Sequence, residues 1–567
     1  MSMWGTVINK LKEIFKNMIG SRTIEKALHV APSISSQMEN AIELWSAMYK
    51  NESPWLHEPT FEDPSRIVSM GLPSLIASEK ARMALLELSS EITTPTKEVE
   101  IDNPNYTEPE EDEFGNILPT LEPKTIIEER PVGPTDRAEY LESQYKKLKK
   151  QLRKQIEYGI AKGGLVIKPY VIVNTPLEED DADTATTITM EFDYIQADCF
   201  YPLVFDASGR ITEAAFIQTK TEKNTIYRKL EYHKWANNTV TVINKAYKSD
   251  NVTNDGDMTG LDLGHEVSLK EIPEWKDLQE KVVIKNVAQP LFAYFKMPEA
   301  NTIDTTSPLG VSGYSRAISL IKDADMQYSR LLWEYEGGEL AVDIDRDALI
   351  QRQAHDGSYH TAPTKLQARL FRKVDLGDAT TYQPYAPALR DSSYIDGLNT
   401  ILMRIEDVCG ISRGTLSDAA DVARTATELK ILKQRSYQAN ADIQEAIEDA
   451  VRDVIYIMDV YCTLYEITPE GEYDVNFEWD DSLIVDVDEE INKRLTLMQN
   501  GLVSKLEVRM WYFGETERQA QEALLQVGEE NLQEMETDMT MQFNNTNMQN
   551  RNNQNKPPQN KGNNNAK

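Results

Sequence analysis

Apolar positions along the chain fall into two rhythms, a helical period near 3.6 and a strand period of 2, and their alternation outlines the elements. Trp4, Val7, Ile8, Leu11, Ile14, Phe15, Met18 and Ile19 keep helical spacing with Lys10, Lys12 and Lys16 between them. They predict an amphipathic helix within residues 1–33, lying on a membrane surface or docked on the protein's own body or a neighbour. Ile42, Trp45 and Tyr49 mark a second helix. A third spans residues 73–89, with Leu75, Ile76, Met83 and Leu86 apolar. Residues 95–134 break the rhythm with seven prolines and the acidic run Glu110, Glu111, Asp112, Glu113. They read as an extended excursion or a pair of edge strands outside the core. Helical spacing resumes near Asp136, where Glu139 completes a capping-box pattern. It carries Leu141, Tyr145, Leu148, Leu152 and Ile156 on one face and stops at Gly163-Gly164. The other face holds six basic residues in nine, Lys146, Lys147, Lys149, Lys150, Arg153 and Lys154. They can be a phosphate-facing patch or a solvated surface.

The strand rhythm dominates 165–247, in runs 165–173, 187–195, 199–205, 211–219, 225–235 and 239–247. Turn signals at Asp206-Ala207-Ser208-Gly209 and Asn237-Asn238 make an antiparallel meander the natural reading. A helix with Ser312 as N-cap runs to Glu336, with Ile318, Ile321, Tyr328, Leu331 and Tyr335 on one side, and Gly337-Gly338 stops it. Short strands and turns occupy 339–389, with a basic set at Arg369, Arg372 and Lys373. From Asp391, Tyr394, Leu398, Ile401, Ile405 and Val408 repeat at 4, 3, 4, 3 spacing, a seam for another helix that ends at Gly410. After a hydroxyl-rich segment, 412–421, a long helix covers 423–465. Further helices run from about Glu489 to Glu536. Residues 542–565 are low-complexity, 15 of 24 being Asn or Gln, and have almost nothing apolar to bury, so they read as disordered.

Composition narrows the chemistry. The 93 acidic and 60 basic residues give a net charge of −33 over 567 residues. Such a surface does not grip a nucleic-acid backbone throughout. Three dispersed cysteines and six histidines without HExxH speak against a disulfide framework or a zinc site, although His355 and His360 leave a ligand pair open. Neither GxxxxGK[ST] nor GxGxxG occurs. No apolar run is long enough for a membrane helix. Residues 466–490 hold eleven acids and no base; Asp480, Asp481, Asp486 and Asp488 are its candidate metal ligands, and hence the basis of an alternative reading as a carboxylate nuclease.

Four stretches resemble the portal, or head-to-tail connector, proteins of tailed double-stranded DNA bacteriophages, the siphophage group of Gram-positive hosts. They are IELWSAMYKNESPW (42–55), YGIAKGGLVIKPYV (158–171), SPLGVSGYSRAISLIKDADMQYSRLLWEYEGGELAV (307–342) and GISRGTLSDAADVARTATELKILKQRSY (410–437). The resemblance covers roughly 35–535. It implies an α+β subunit of portal architecture, assembled as a ring, usually a dodecamer, around a channel. A wing, helical then antiparallel β, takes 34–311. Stem helices take 312–336 and 391–410, a small strand-rich clip 337–390, and a tunnel loop 411–424. The long helix and wing return take 425–485, a helical crown 486–535, and the tail 536–567.

The same resemblance implies a structural role without chemistry or cofactor. The ring stands at one capsid vertex of the virion, assembled in the host cytoplasm, and serves genome packaging and ejection. Partners are the terminase motor, the major capsid and scaffolding proteins, a head-completion adaptor, and duplex DNA passing without sequence specificity, with no membrane involved. In the tunnel loop Arg413, Thr415, Ser417, Arg424 and Thr425 are the residues expected nearest DNA, offering hydrogen bonds to phosphate; Arg413 and Arg424 could instead pair with Asp407, Asp418 or Asp421. Arg369, Arg372 and Lys373 are the clip residues expected to meet partners. An acidic channel wall repels the duplex and lets it slide. Another phage structural or scaffolding protein is the remaining alternative. A scaffold would lack the strands of 165–247.

Overall fold

A computed structural model of the chain describes residues 21–58, 66–86, 88–103, 125–174, 187–222, 225–250, 263–339, 341–345, 351–353, 359–361, 371–374, 382–418, 426–479, 487–514 and seven positions within 519–527. It is a mixed α and β protein. Two compact units divide it, residues 1–480 and 481–567. In the first, helices α1 (Ser21–Leu28), α2 (Ser36–Tyr49) and α3 (Leu72–Leu85) lead to β1 (Leu88–Thr93). The hairpin β2 (Thr96–Asp102) and β3 (Thr125–Pro131) follows, then helix α4 (Asp136–Lys162). The proline-rich excursion is thus a pair of strands where it is described; its acidic run lies outside the described residues.

The expected stripe of α4 is the centre of the core: Leu141, Tyr145, Leu148, Leu152 and Ile156 are all buried. Its start departs from expectation. Thr135 stands at the N-cap and makes no side-chain cap bond, so no capping box forms. Gly163 ends it at φ 87°. A side chain at Gly163 would lie 2.6 Å from the Gly310 carbonyl oxygen, and one at Gly310 would lie 2.1 Å from that of Gly163. The motifs around 158–171 and 307–342 therefore touch backbone to backbone, which only glycine permits.

The six strand runs all form, but in two sheets rather than one meander. β4 (Gly164–Asn174) and β5 (Thr187–Gln196) pair with β12 (Ala293–Lys296). β6 (Phe200–Phe205), β7 (Ile211–Glu222), β8 (Thr225–Ala236) and β9 (Thr239–Asp250) run as an antiparallel meander, extended by β10 (His265–Val267) and β11 (Lys281–Lys285). The break falls at Ala197–Cys199, a turn of 3₁₀ helix that re-aims the chain. Asn237 and Asn238 both take positive φ (50° and 54°), the backbone of a two-residue hairpin turn. Against the outer face of the meander, α1 buries Ile24 among Tyr201, Leu203, Leu230 and Tyr232. The described end of the N-terminal segment thus docks on the protein's own body; residues 1–20 lie outside the described set.

Helix α5 (Ile318–Gly337) and helix α6 (Asp391–Cys409) bracket five short strands, β13 (Ala341–Asp345), β14 (Gln351–Gln353), β15 (Tyr359–Thr361), β16 (Phe371–Val374) and β17 (Tyr382–Tyr385). Ser312 is buried but is not the N-cap of α5. A 3₁₀ turn, Ser315–Ala317, intervenes, and Ala317 holds that position. The two helices bury Ile321, Ala324 and Leu331 with Leu398, Leu402, Ile405 and Cys409, while Tyr335 and Val408 are exposed. Of the predicted 4-3-4-3 seam Leu398 and Ile405 are buried and Ile401 packs against the core; Leu402 and Cys409 join them, and Val408 at its end turns outward, in the sense expected for a helix of 3.6 residues per turn carrying a 3.5-residue repeat.

Helix α7 (Ala426–Leu464), about 58 Å long at 1.5 Å per residue, lays Ile443, Ile447, Val451, Val454 and Met458 into the same core. β18 (Asp474–Trp479) then returns to pair antiparallel with β1, Leu88 opposite Trp479. The third helix of the sequence reading is correspondingly shorter than expected: it stops at Leu85 because Leu88 onward belongs to this sheet. The second unit contains α8 (Val487–Gln499) and α9 (Lys505–Phe513). A Ser504–Glu507 capping box starts α9, and the Arg494 guanidinium sits 4.1 Å above the Trp511 ring.

Candidate functional site

The turn after α6 is built on one carboxylate. Gly410 leaves the helix at φ 69°, and its N–H and that of Ile411 donate to the Glu406 carbonyl. The buried Glu406 side chain then receives the chain that follows. Oε1 accepts from the Leu416 N–H (2.5 Å) and the Ser417 N–H (2.9 Å), and Oε2 accepts from Ser417 Oγ (2.7 Å). Its neighbour Asp407 takes a bidentate pair from Arg413, Nε at 3.1 Å and Nη2 at 2.8 Å. Thr415 Oγ1 donates to the Ser412 carbonyl (2.7 Å), and the Asp418 N–H to Asn399 Oδ1 (2.8 Å). Residues 410–418 are thus seated on the last turns of α6 by their own side chains.

These bonds place the tunnel-loop candidates. Arg413 pairs with Asp407, one of the acids its sequence neighbourhood offered. The Thr415 and Ser417 hydroxyls donate to the Ser412 carbonyl and to Glu406. Arg424 and Thr425 lie outside the described residues. The signal for the Glu406 seat was in the sequence, a carboxylate one turn before a helix-ending glycine, but nothing in spacing says that it faces inward.

At the opposite end of the helix pair a second clasp forms, unforeseen from sequence. Arg390 Nε and Nη2 reach Glu334 Oε1 (3.1 Å) and Oε2 (2.7 Å), and the Arg390 N–H adds a third bond at 3.2 Å. These bonds hold the Glu334 carboxyl below its ordinary range. Between the clasps, α5 is tied to the helical layer by Asp325. Its Oδ2 accepts from Trp55 Nε1 (2.9 Å) and its Oδ1 from the Met70 N–H (2.8 Å), while burial raises its pKa.

The clasp at Arg390 opens onto the strand-rich excursion. There β13 is central, parallel to β16 and antiparallel to β17. Register sets Arg372 opposite Asp343 and Lys373 opposite Ile344; Arg369 lies outside the described residues.

A cleft of about 380 Å³ between the two sheets is lined by Lys162, Lys168, Lys229, Asp193, Asp198 and Glu231 among others. Most of its charges are paired, Lys162 with Asp198 at 2.5 Å, Lys168 with Glu231 at 2.5 Å and Lys229 with Glu231 at 3.1 Å, while Lys50 at its rim has no ion pair among the described residues. His233 joins Glu231 at 2.7 Å and is held neutral by burial. Cys199 in the same cleft is pushed by burial, and then by Asp198, up to about 11, so it is a thiol rather than a thiolate at neutral pH. Among the described residues no cluster of His, Cys, Asp and Glu could hold a metal ion, and no helix is long and apolar enough to cross a membrane. The acids Asp480, Asp481 and Asp486 lie outside the described residues.

A family model described as phage portal protein, SPP1 Gp6-like, matches residues 138–538, from the first turn of α4 through both clasped helices to beyond α9. The chain belongs to this family. A search of curated proteins finds no match. This is therefore a phage portal protein. The portal match takes in three of the four stretches that carry the sequence resemblance; 42–55 lies ahead of it.

Proposed function

We propose that copies of this portal protein close into a ring, a dodecamer by family analogy, at one capsid vertex. The duplex passes through its centre during packaging and ejection. In this reading α5 and α6 are the stem, 337–390 the clip, 411–424 the tunnel loop, 34–311 and 425–485 the wing, and 486–535 the crown. Arg413, Thr415, Ser417, Arg424 and Thr425 of that loop are the residues nearest DNA. The clip, with Arg369, Arg372 and Lys373, meets the terminase motor and later a head-completion adaptor. Capsid and scaffolding proteins surround the wing. Assembly takes place in the host cytoplasm, and the phage belongs to the siphophages of Gram-positive hosts.

One observation carries the ring. The α5–α6 pair leaves Trp333 67%, Ile395 47%, Tyr335 40% and Val408 39% exposed on its remaining surface. A slender helix pair with that much apolar surface calls for neighbours of its own kind. The net charge of −33 supports a channel through which phosphates slide without counterion-releasing contacts. Native mass spectrometry with negative-stain imaging is the test. The expected result is a ring many times the 64.5 kDa subunit with a central hole. A monomer or dimer stable across salt and concentration overturns the proposal.

A further inference from the structure

Helix α4 carries six basic residues between Lys146 and Lys154. Lys146 and Lys147 lean towards Glu142 and Glu191 (3.4 and 3.9 Å), and Lys149 donates to the Ser90 carbonyl at 2.8 Å. The exposed Lys150, Arg153 and Lys154 have no ion pair among the described residues. They span one helical turn, about 6 Å along the axis. Beside them lies an open groove of about 280 Å³ lined by Arg82, Leu85, Leu86, Leu88, Lys149, Leu152 and Arg153. Leu152 is buried at its base and Leu86 is 64% exposed. Of the cations lining the groove Arg82 pairs with Glu79 at 2.5 Å and Lys149 is bonded to Ser90, which leaves Arg153 unpaired at the edge of an aliphatic floor, with Lys150 and Lys154 next to it on α4, in a chain of net charge −33.

We infer that this groove docks an acidic amphipathic helix of a partner protein, its leucine-type side seated on Leu85, Leu86 and Leu88 and its carboxylates facing Lys150, Arg153 and Lys154. Charge complementarity selects the occupant. Carboxylates at i and i+3 or i+4 of a docked helix match the one-turn spacing of the three cations. A nucleic-acid backbone would meet the cations but has no aliphatic side for the leucine floor. The inference is independent of the ring.

The test is fluorescence anisotropy on the full chain. One probe is a labelled synthetic peptide with leucine at helical spacing on one side and glutamate on both flanks. The second is the same peptide with serine for leucine. The third is a short labelled DNA duplex. The leucine peptide should bind, the serine peptide about tenfold more weakly. Lys150→Glu with Arg153→Glu, and separately Leu86→Ser, should each weaken the leucine peptide about tenfold or more. All the changed side chains are exposed, and an unchanged melting temperature shows that the fold is kept. Equal binding of leucine and serine peptides overturns the groove. Tighter binding of the duplex, lost in the charge-reversed variant, assigns the face to nucleic acid and overturns the peptide. Absence of peptide binding together with a lower native mass for Leu86→Ser assigns the groove to a second copy, and absence of binding alone also overturns the inference.

Discussion

Glu406 and Glu43 are both buried carboxylates in helices, and their surroundings give them opposite consequences. Glu406 accepts three hydrogen bonds from the loop it holds, so Glu406→Ala leaves the Leu416 and Ser417 donors unpaired. The expected loss is about 2–4 kcal/mol in denaturant unfolding, with faster amide exchange confined to 411–418. Glu43 in α2 has no such donors. Burial, and then the charge of Glu39, raise its pKa from 4.5 to about 7. The folded chain therefore keeps a proton that the unfolded chain releases above 4.5. Its contribution is fully present below that pH and is lost as pH rises through 7. Glu43→Gln should leave the melting temperature unchanged near pH 4 and raise stability by about 1–3 kcal/mol near pH 8. Scanning calorimetry across that range checks it; an equal gain at both ends contradicts the assignment.

Arg137 joins three elements. Nearly wholly buried at the start of α4, it donates to the Asp459 carbonyl (3.0 Å) and Asp459 Oδ1 (2.7 Å), to Thr463 Oγ1 (3.1 Å), and to the Thr468 and Pro469 carbonyls (3.0 and 3.1 Å). One guanidinium thus fixes the end of α7 and the turn towards β18 against α4. Arg137→Ala removes five bonds and leaves the half-buried Asp459 without its cation, a cost of about 2–4 kcal/mol. Exchange should rise in 459–479 well before it rises in the meander, and uniform loosening of both would contradict a local clamp. The helices themselves were largely legible: α4, α6 and α7 begin and end within a few residues of the positions set by apolar period and glycine. The inward face of α6 was legible in part: Leu398 and Ile405 of its predicted stripe are buried, whereas the inward turn of Glu406 depends on the loop it holds.

For the molecule as a whole, the ring reading turns on surface the single chain leaves unburied. Trp333→Lys should move native mass towards the single subunit while leaving secondary structure by circular dichroism unchanged, since that ring is two-thirds exposed in the isolated chain. A ring of unaltered mass would place the subunit contact elsewhere.

Local pattern by itself determined most element identities, the glycine stops, the separation of a strand-rich block from helices on both sides, and the order of motifs that marks the portal family. It could do so because helix and strand periods are properties of neighbouring residues. Only the tertiary structure decided that β4 and β5 leave the meander to join β12, that β1 pairs with β18 from the far side of the chain, and that β13 lies parallel to β16. It alone decided that Ser417 serves Glu406 and that Arg390 closes on Glu334. Each of these joins partners distant in sequence or sets which way a polar side chain turns at a helix end. Such choices follow from which surfaces are buried together, and periodicity along a single segment carries no record of that.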